Sequence, residues 1–353
     1  MEYLYDYGLF LAQAGTIVAA ILIVVGSIVA MGQRNKGEEE GHIEIRHINE
    51  KYRAINDTIE EVVSDEETRK QHAKQKKKQD KQEAKEAKKK RKQAGDDDTD
   101  EGRKRLYVLD FDGDISASAA DNLREEISAV LPQVRDGDEM LVRLESPGGM
   151  VHSYGLASSQ LSRIAEAGVP LTVAVDKVAA SGGYMMACVA DKILAAPFAV
   201  IGSIGVIAQL PNFNRLLKKN DIDFEMLTAG EYKRTLTMFG ENTDKGREKF
   251  VEELEQTHDL FKTFVSENRP ELDINKVATG EVWYGRKALE VGLIDDLQTS
   301  DAFVQAKLKD VDVFEVKFVH KKNWQEKMGL AAQGAMENVL LKLWQRTQNR
   351  NNY

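Results

Sequence analysis

Residues 169–197 read VPLTVAVDKVAASGGYMMACVADKILAAP. The stretch opens on a short apolar run with β-branched residues, turns through alanine, serine and glycine at 179–183, and returns to a second apolar run at 191–197. Between the runs lies a short apolar segment opening at Ser181, too short to be more than two turns of helix. The order is strand, helix, strand, with the chain reversing at small residues that allow close backbone approach. Working outward, RLYVLDF (105–111) and DEMLVRLES (138–146) are further strands, and AVIGSIGVIA (199–208) carries another. SASAADNLREEISAVLPQV (116–134), with Ser116 or Ser118 as its cap, and VHSYGLASSQLSRIAEAG (151–168) are amphipathic helices. Strands alternating with helices at this spacing form parallel βαβ units with right-handed crossovers, which makes the fold class α/β. Helical segments follow near 211–220 and 244–268.

The N-terminus has a different physics. No charged residue occurs from Gly8 to Gln33, and Leu9–Met31 is a run of 23 mostly apolar residues. As a helix it spans the roughly 30 Å hydrocarbon core of a bilayer with some tilt. Tyr3, Tyr5 and Tyr7 stand at one edge, as interfacial rings do. A cleaved signal peptide fits less well, because Glu2 and Asp6 precede the run and the run is too long. Residues 1–33 are therefore expected to be a transmembrane anchor.

Residues 34–105 are a charged extension. Segment 43–63 places Ile43, Ile48, Ile55, Ile59, Val62 and Val63 at partly helical spacing and is expected to be a helix. From Arg69 to Lys92 there are thirteen Lys and Arg against three acids, with no apolar side chain larger than alanine. Such a run buries no core and forms a solvated helical or disordered tether. Contact with anionic lipid headgroups is its functional alternative. Nucleic acid is disfavoured, since no aromatic residue interleaves the lysines to stack a base. The chain holds 353 residues with a net charge of −9 and one cysteine. A disulfide framework and a thiolate zinc site are thereby excluded, and Cys188 reads as a small buried hydrophobe. The remaining divisions are a packed domain at 106–320 and a C-terminal helix with a polar tail at 321–353.

Open α/β sheets bind ligands beyond the carboxyl ends of their strands. Two such ends carry glycine pairs, ESPGGM (145–150) and AASGGY (179–184). Each alone is an ordinary tight turn; two at neighbouring strand ends bring two backbones close around something small. A serine at a strand-to-helix corner exposes its hydroxyl beside the next N–H, the arrangement of a nucleophile with an oxyanion donor. The plainer role for Ser181 is helix N-cap. A serine nucleophile needs a base. Of the six histidines only His152 lies near the glycine turns, and no aspartate partner is evident for it. A lysine serves where an apolar, water-poor setting holds it neutral, but composition does not choose among the lysines.

SPGG (146–149), ASGGYMMACVADKI (180–193), IGSIGV (201–206), GEYKR (230–234) and GEVWYGRKALEVGLIDD (280–296), in this order and spacing, resemble the signal peptide peptidase A family of serine proteases. The resemblance covers roughly residues 105–300. A single catalytic domain behind an anchor and a lysine-rich extension is most similar to the SohB branch of that family. The resemblance implies a ClpP/crotonase-type β-superhelix with flanking helices. It implies Ser181 as nucleophile and Lys233 as general base, 52 residues later, in a Ser–Lys dyad without histidine. Ser203 orients the lysine, and Gly182 and Gly149 supply the oxyanion N–H groups. The apolar segments flanking Lys233 are expected to desolvate it. Members of the family assemble into rings or domes in which dyads are completed between neighbours, so a chain with one repeat is expected to be a homo-oligomer.

The reading is a membrane-anchored serine endopeptidase acting on signal peptide remnants or on exported and misfolded proteins, with no cofactor or metal and with the lipid bilayer as a partner. The alternatives are a crotonase-like acyl-CoA enzyme, which needs no serine at 181, and a non-enzymatic membrane scaffold. Arg34 and Lys36 after the anchor favour a cytoplasmic domain by the positive-inside rule. The family works on the outer side of the bacterial inner membrane, so a periplasmic catalytic domain is the expectation.

Overall fold

The computed structural model describes residues 41–65 and 103–321, with Gly15, Thr16, Lys78 and Lys85 as isolated positions. The expected anchor, the lysine-rich tether and the C-terminal helix with its tail lie outside the described residues. Among the described residues no helix is long and apolar enough to cross a membrane. Ile43–Phe318 is one compact unit.

The chain runs β1 (Gly41–His47), α1 (Ile48–Val63), β2 (Arg105–Asp112), α2 (Ala120–Val130), β3 (Glu139–Glu145), α3 (Val151–Glu166) and β4 (Leu171–Val175). It continues through β5 (Val178–Ala180), α4 (Gly182–Ala187), β6 (Lys192–Ala195), β7 (Val200–Gly202), α5 (Asn214–Lys219) and α6 (Asp244–Asn268). The last elements are α7 (Ile274–Val277), β8 (Val282–Tyr284), α8 (Gly285–Glu290), β9 (Asp296–Leu297), α9 (Ser300–Lys307) and β10 (Asp312–His320). A mixed α/β fold results. Seven strands form the main sheet in the order β1-β10-β2-β3-β4-β6-β9, and β5-β7-β8 form a second sheet.

The main sheet is parallel from β10 to β9. Its central strands are buried on both faces, which is why they read as apolar runs rather than alternating ones. In β2, Tyr107, Leu109 and Phe111 join the larger core with Leu123 and Ile127 of α2 and Leu161 and Ile164 of α3. Leu106 and Val108 face the other way, onto a smaller core with Ile48, Phe303 and Val304.

The second sheet begins where the first one splits. After β4 the chain steps out at Asp176 and Lys177, and β5 pairs in parallel with β7 instead of rejoining its neighbours. The end of β3 bridges across: the Ser146 N–H donates to the Val178 carbonyl at 2.8 Å and the Ala180 N–H to the Ser146 carbonyl at 3.0 Å. The Asp176 carboxylate, freed at the step, accepts the Ser300 N–H and hydroxyl at the start of α9.

Two local expectations change. Residues 43–47, expected to be helical, are strand, and the helix starts at Ile48. The edge of β10 offers unpaired backbone that a strand satisfies and a helix does not. Asn49 fixes the junction: it is 4% exposed, donates to the Leu308 and Val311 carbonyls and accepts the Val313 N–H. Neither Ser116 nor Ser118 caps α2 with its side chain. The Asp114 carboxylate does comparable work from outside the helix, accepting the Ser116 and Ser118 N–H groups and the Ser118 hydroxyl.

Glu126 of α2 is 3% exposed. One carboxyl oxygen accepts the Phe318 N–H of β10 at 2.8 Å, and the other has no partner among the described residues. Burial, with a smaller contribution from Asp110, pushes its pKa up from the ordinary 4.5 to about 7. The folded state thus holds a proton that the unfolded chain releases between these two values, and stability falls as pH rises through that window. At about 1.4 kcal/mol per pH unit the loss is at most about 3.5 kcal/mol. Glu126→Gln should flatten this slope between pH 4.5 and 7, measured by urea unfolding. An unchanged slope would show that the carboxylate is solvated.

Candidate active site

Ser181 sits between β5 and α4 with φ 52° and ψ −117°, a left-handed backbone conformation that costs a side-chain-bearing residue on the order of 1–3 kcal/mol. Its N–H is spent on the Gly202 carbonyl of β7 at 2.8 Å. It occupies the N-cap position of α4, yet its hydroxyl makes no capping bond. The side chain is half-buried and has no hydrogen-bond partner among the described residues. A hydroxyl held on a strained corner without a structural partner fits a chemical role better than a capping one.

The SPGG turn packs directly on this corner. Gly148 has φ +89°, and a Cβ there would lie 2.7 Å from the Ala180 carbonyl oxygen and 2.8 Å from both the Gly182 nitrogen and Ser181 Cβ. A Cβ on Gly149 would sit 2.1 Å from the Ile115 carbonyl oxygen, and one on Gly182 would sit 2.3 Å from Tyr154 Cγ. All three positions exclude any side chain because backbone or a buried ring occupies the space. The Met150 N–H donates to the Ile115 carbonyl at 2.9 Å, which ties the turn to the loop after β2.

Beneath the two turns lies a buried polar group. Ser146 and Tyr154 are both 0% exposed, and their hydroxyls meet at 2.5 Å. The Gly148 N–H donates to Ser146 Oγ at 3.1 Å, and the Tyr154 hydroxyl donates to the Asp114 carbonyl at 2.7 Å. The amides of Gly149 and Gly182, by contrast, donate to no protein group among the described residues.

Gly149, Ser181 and Gly182 line one cavity with Val151, Met185 and Gly205. Its volume is about 10 Å³, close to the room one water needs. Val206, with Thr257 and Phe261 of α6, completes the wall. Sequence reasoning did not find the two α6 residues, because α6 reads as a charged helix and nothing in its pattern marks the turn that meets the corner. Tyr154 and Ser146 were also missed as functional neighbours. Their signal was a tyrosine five residues after a glycine turn, which is indistinguishable from ordinary core.

The other sequence candidates stand elsewhere. Ser203 is next to Gly202, the residue whose carbonyl anchors Ser181, and it too has a left-handed backbone, φ 51°; its N–H donates to the Glu281 carbonyl. Lys233 is exposed and does not line the cavity. The apolar cover expected around its ammonium is absent in the single chain, because residues 207–243 form a largely exposed arm. In that arm Asn212 donates to the Thr237 and Gly240 carbonyls, and Phe239 packs against Phe213 and Phe224. Glu231 pairs with Lys245 rather than with Lys233. His152 is exposed at the start of α3 and is not in the cavity wall. Cys188 is fully buried, and burial pushes its thiol up to about 12, which makes it an inert core residue. Among the described residues no group of His, Cys, Asp or Glu is arranged to hold a metal.

Comparison with known proteins fits this geometry. Residues 2–161 match the family description Peptidase family S49 N-terminal, and residues 163–313 match Peptidase family S49. The SPGG turn thus falls in the first match and the Ser181 corner in the second. The chain is 53% identical over 339 residues to a protein of Haemophilus influenzae named "Probable protease SohB", covering 96% of each chain. A Buchnera aphidicola protein of the same name is 49% identical over 305 residues, covering 86% of this chain and 99% of its own. A Methanocaldococcus jannaschii protein named as a putative protease is 34% identical over 46% of this chain. At this identity and coverage the chain belongs to peptidase family S49, in its SohB-type branch, and is a protease.

Proposed function

We propose that this protease is a serine endopeptidase in which Ser181 attacks the peptide carbonyl and Lys233 acts as general base. The observation that carries the reading is the uncommitted Ser181 hydroxyl facing a cavity shared with two uncommitted backbone amides, those of Gly182 and Gly149. The two amides stabilise the charge that develops on the carbonyl oxygen, each worth on the order of 10²–10³ in rate. Lys233 takes the Ser181 proton, returns it to the leaving amine, and then activates the water that hydrolyses the acyl-enzyme. Ser203, one residue from the carbonyl that anchors Ser181, orients the lysine.

Lys233 reaches Ser181 through assembly. The arm that carries it exposes Ile207, Leu210, Leu216, Ile222, Met226 and Leu227, an apolar surface of the kind that a neighbouring subunit covers. A homo-oligomer that buries this arm brings one chain's Lys233 to a neighbour's Ser181 and desolvates it there. The split between the main sheet and β5-β7-β8 agrees with a ClpP/crotonase-type superhelix. The apolar run Leu9–Met31 anchors the protein in the bacterial inner membrane as a single pass, with the catalytic domain in the periplasm. Its substrates there are signal peptide remnants or exported and misfolded proteins.

Ser181→Ala and Lys233→Ala should each fold with an unchanged Tm and lose peptide cleavage by on the order of 10⁴-fold. Activity within tenfold of wild type in either variant removes that residue from the dyad. Mixing the two inactive variants under conditions that exchange subunits should restore a fraction of wild-type cleavage, since some interfaces then pair an intact serine with an intact lysine. Mixed assemblies that form and stay inactive would place the dyad within one chain. Gly149→Ala should lower kcat by about 10²-fold, because a methyl against the Ile115 carbonyl displaces the oxyanion amide; wild-type kcat would exclude that amide from the reaction.

A further inference from the structure

We propose that Tyr154 is the positioning residue of the oxyanion hole, one side chain that sets the Gly149 and Gly182 amides together. The inference rests on the oxyanion reading above and concerns what holds the two donors, not which groups react.

Proton counting orders the buried polar group. A phenol has one proton, and the Tyr154 hydroxyl spends it on the Asp114 carbonyl, which only accepts. In the 2.5 Å contact between the two hydroxyls, Ser146 is therefore the donor. The Ser146 oxygen then has a lone pair for the Gly148 N–H. The result is a chain in one direction, from the Gly148 amide through Ser146 and Tyr154 to the Asp114 carbonyl, in which each bond polarises the next. It consumes the Gly148 amide and leaves the Gly149 amide as the free donor of the turn. It also ties the turn to Asp114, the residue before Ile115, whose backbone abuts Gly149 and accepts the Met150 N–H.

The ring does the second task. Tyr154 Cγ lies where a Gly182 side chain would begin, so the ring face is the floor under the second donor. Phe111 stands edge-on to the ring with centroids 6.5 Å apart, which fixes its plane. A single rigid, wholly buried side chain thus touches both turns, by its hydroxyl on one and its ring on the other. Ordinary core packing accounts for the ring but gives no reason for a hydroxyl buried between the SPGG turn and the Asp114 carbonyl.

The test separates the two tasks. Tyr154→Phe keeps the floor and removes the hydroxyl, leaving the Ser146 proton without an acceptor. Its kcat should fall by about 10-fold, less than the loss of a whole donor, with KM within about 2-fold of wild type. Ser146→Ala should fall similarly, and the double variant should be no slower than the slower single one, because both break the same chain. Tyr184→Phe is the control. Tyr184 is equally buried and its hydroxyl donates to the Leu293 carbonyl at 2.9 Å, away from the turns; it should lower Tm comparably and leave kcat unchanged. Wild-type kcat in Tyr154→Phe, multiplicative losses in the double variant, or an equal kcat loss in Tyr184→Phe would each overturn the proposal. A fluorophosphonate probe distinguishes its failure from that of the parent reading. If the wild-type protein is not labelled at Ser181, the nucleophile assignment fails. If it is labelled, and Tyr154→Phe is labelled as fast, only the positioning role fails.

Discussion

The structure depends on one contact, the approach of two backbone turns with nothing between them. Gly148 lies against the Ala180 carbonyl, the Gly182 amide and the Ser181 side chain, at distances where a single added carbon would overlap. To bring these turns together the end of β3 must reach β5, which it does through the Ser146–Ala179 bridge. To reach it, β5 must leave the line of β4, and the split into two sheets follows. The sheet topology is thus shaped by a requirement at its carboxyl edge.

Such a contact is costly, and magnitudes show what holds it. Ser181 and Ser203 both adopt left-handed backbone conformations, each costing on the order of 1–3 kcal/mol. Against this stands α4, whose Met186 and Ala187 are 0% exposed, with Cys188 at its C-terminal end equally buried. Burying a large apolar side chain contributes roughly 1.5–3 kcal/mol, so this one short helix offsets the strain at the corner that starts it. The apolar half of ASGGYMMAC is the anchor for its strained half.

Much of this was legible because it is local. Parallel strands buried on both faces write themselves as apolar runs, and β2, β3, β4 and β6 were read from them. Glycines that admit no Cβ show as pairs at strand ends, so the two turns and Ser181 were visible too. The elements that went unread are set by partners far along the chain. Strand β1 is strand because β10 lies beside it, and β8 is three residues long with no pattern of its own. The same holds at the site. Thr257 and Phe261 wall the cavity through the docking of α6, and Tyr154 matters through what it touches rather than through its neighbours in sequence.

The family resemblance supplied Lys233, and the single chain shows why residues alone did not. A base is recognised by its setting, and this lysine's setting in one chain is solvent. The charges around it are already paired or engaged: Glu231 with Lys245, and Lys245 and Lys249 over the Tyr232 ring at 5.8 and 5.4 Å. These pairings lie within the arm and at the start of α6, and none of them includes Lys233. The cavity at Ser181 is meanwhile walled on one side by Thr257 and Phe261 of α6. The Ser181 hydroxyl and the Gly149 and Gly182 amides meet at one cavity within a single chain, while Lys233 lies on a largely exposed segment with apolar side chains at its surface.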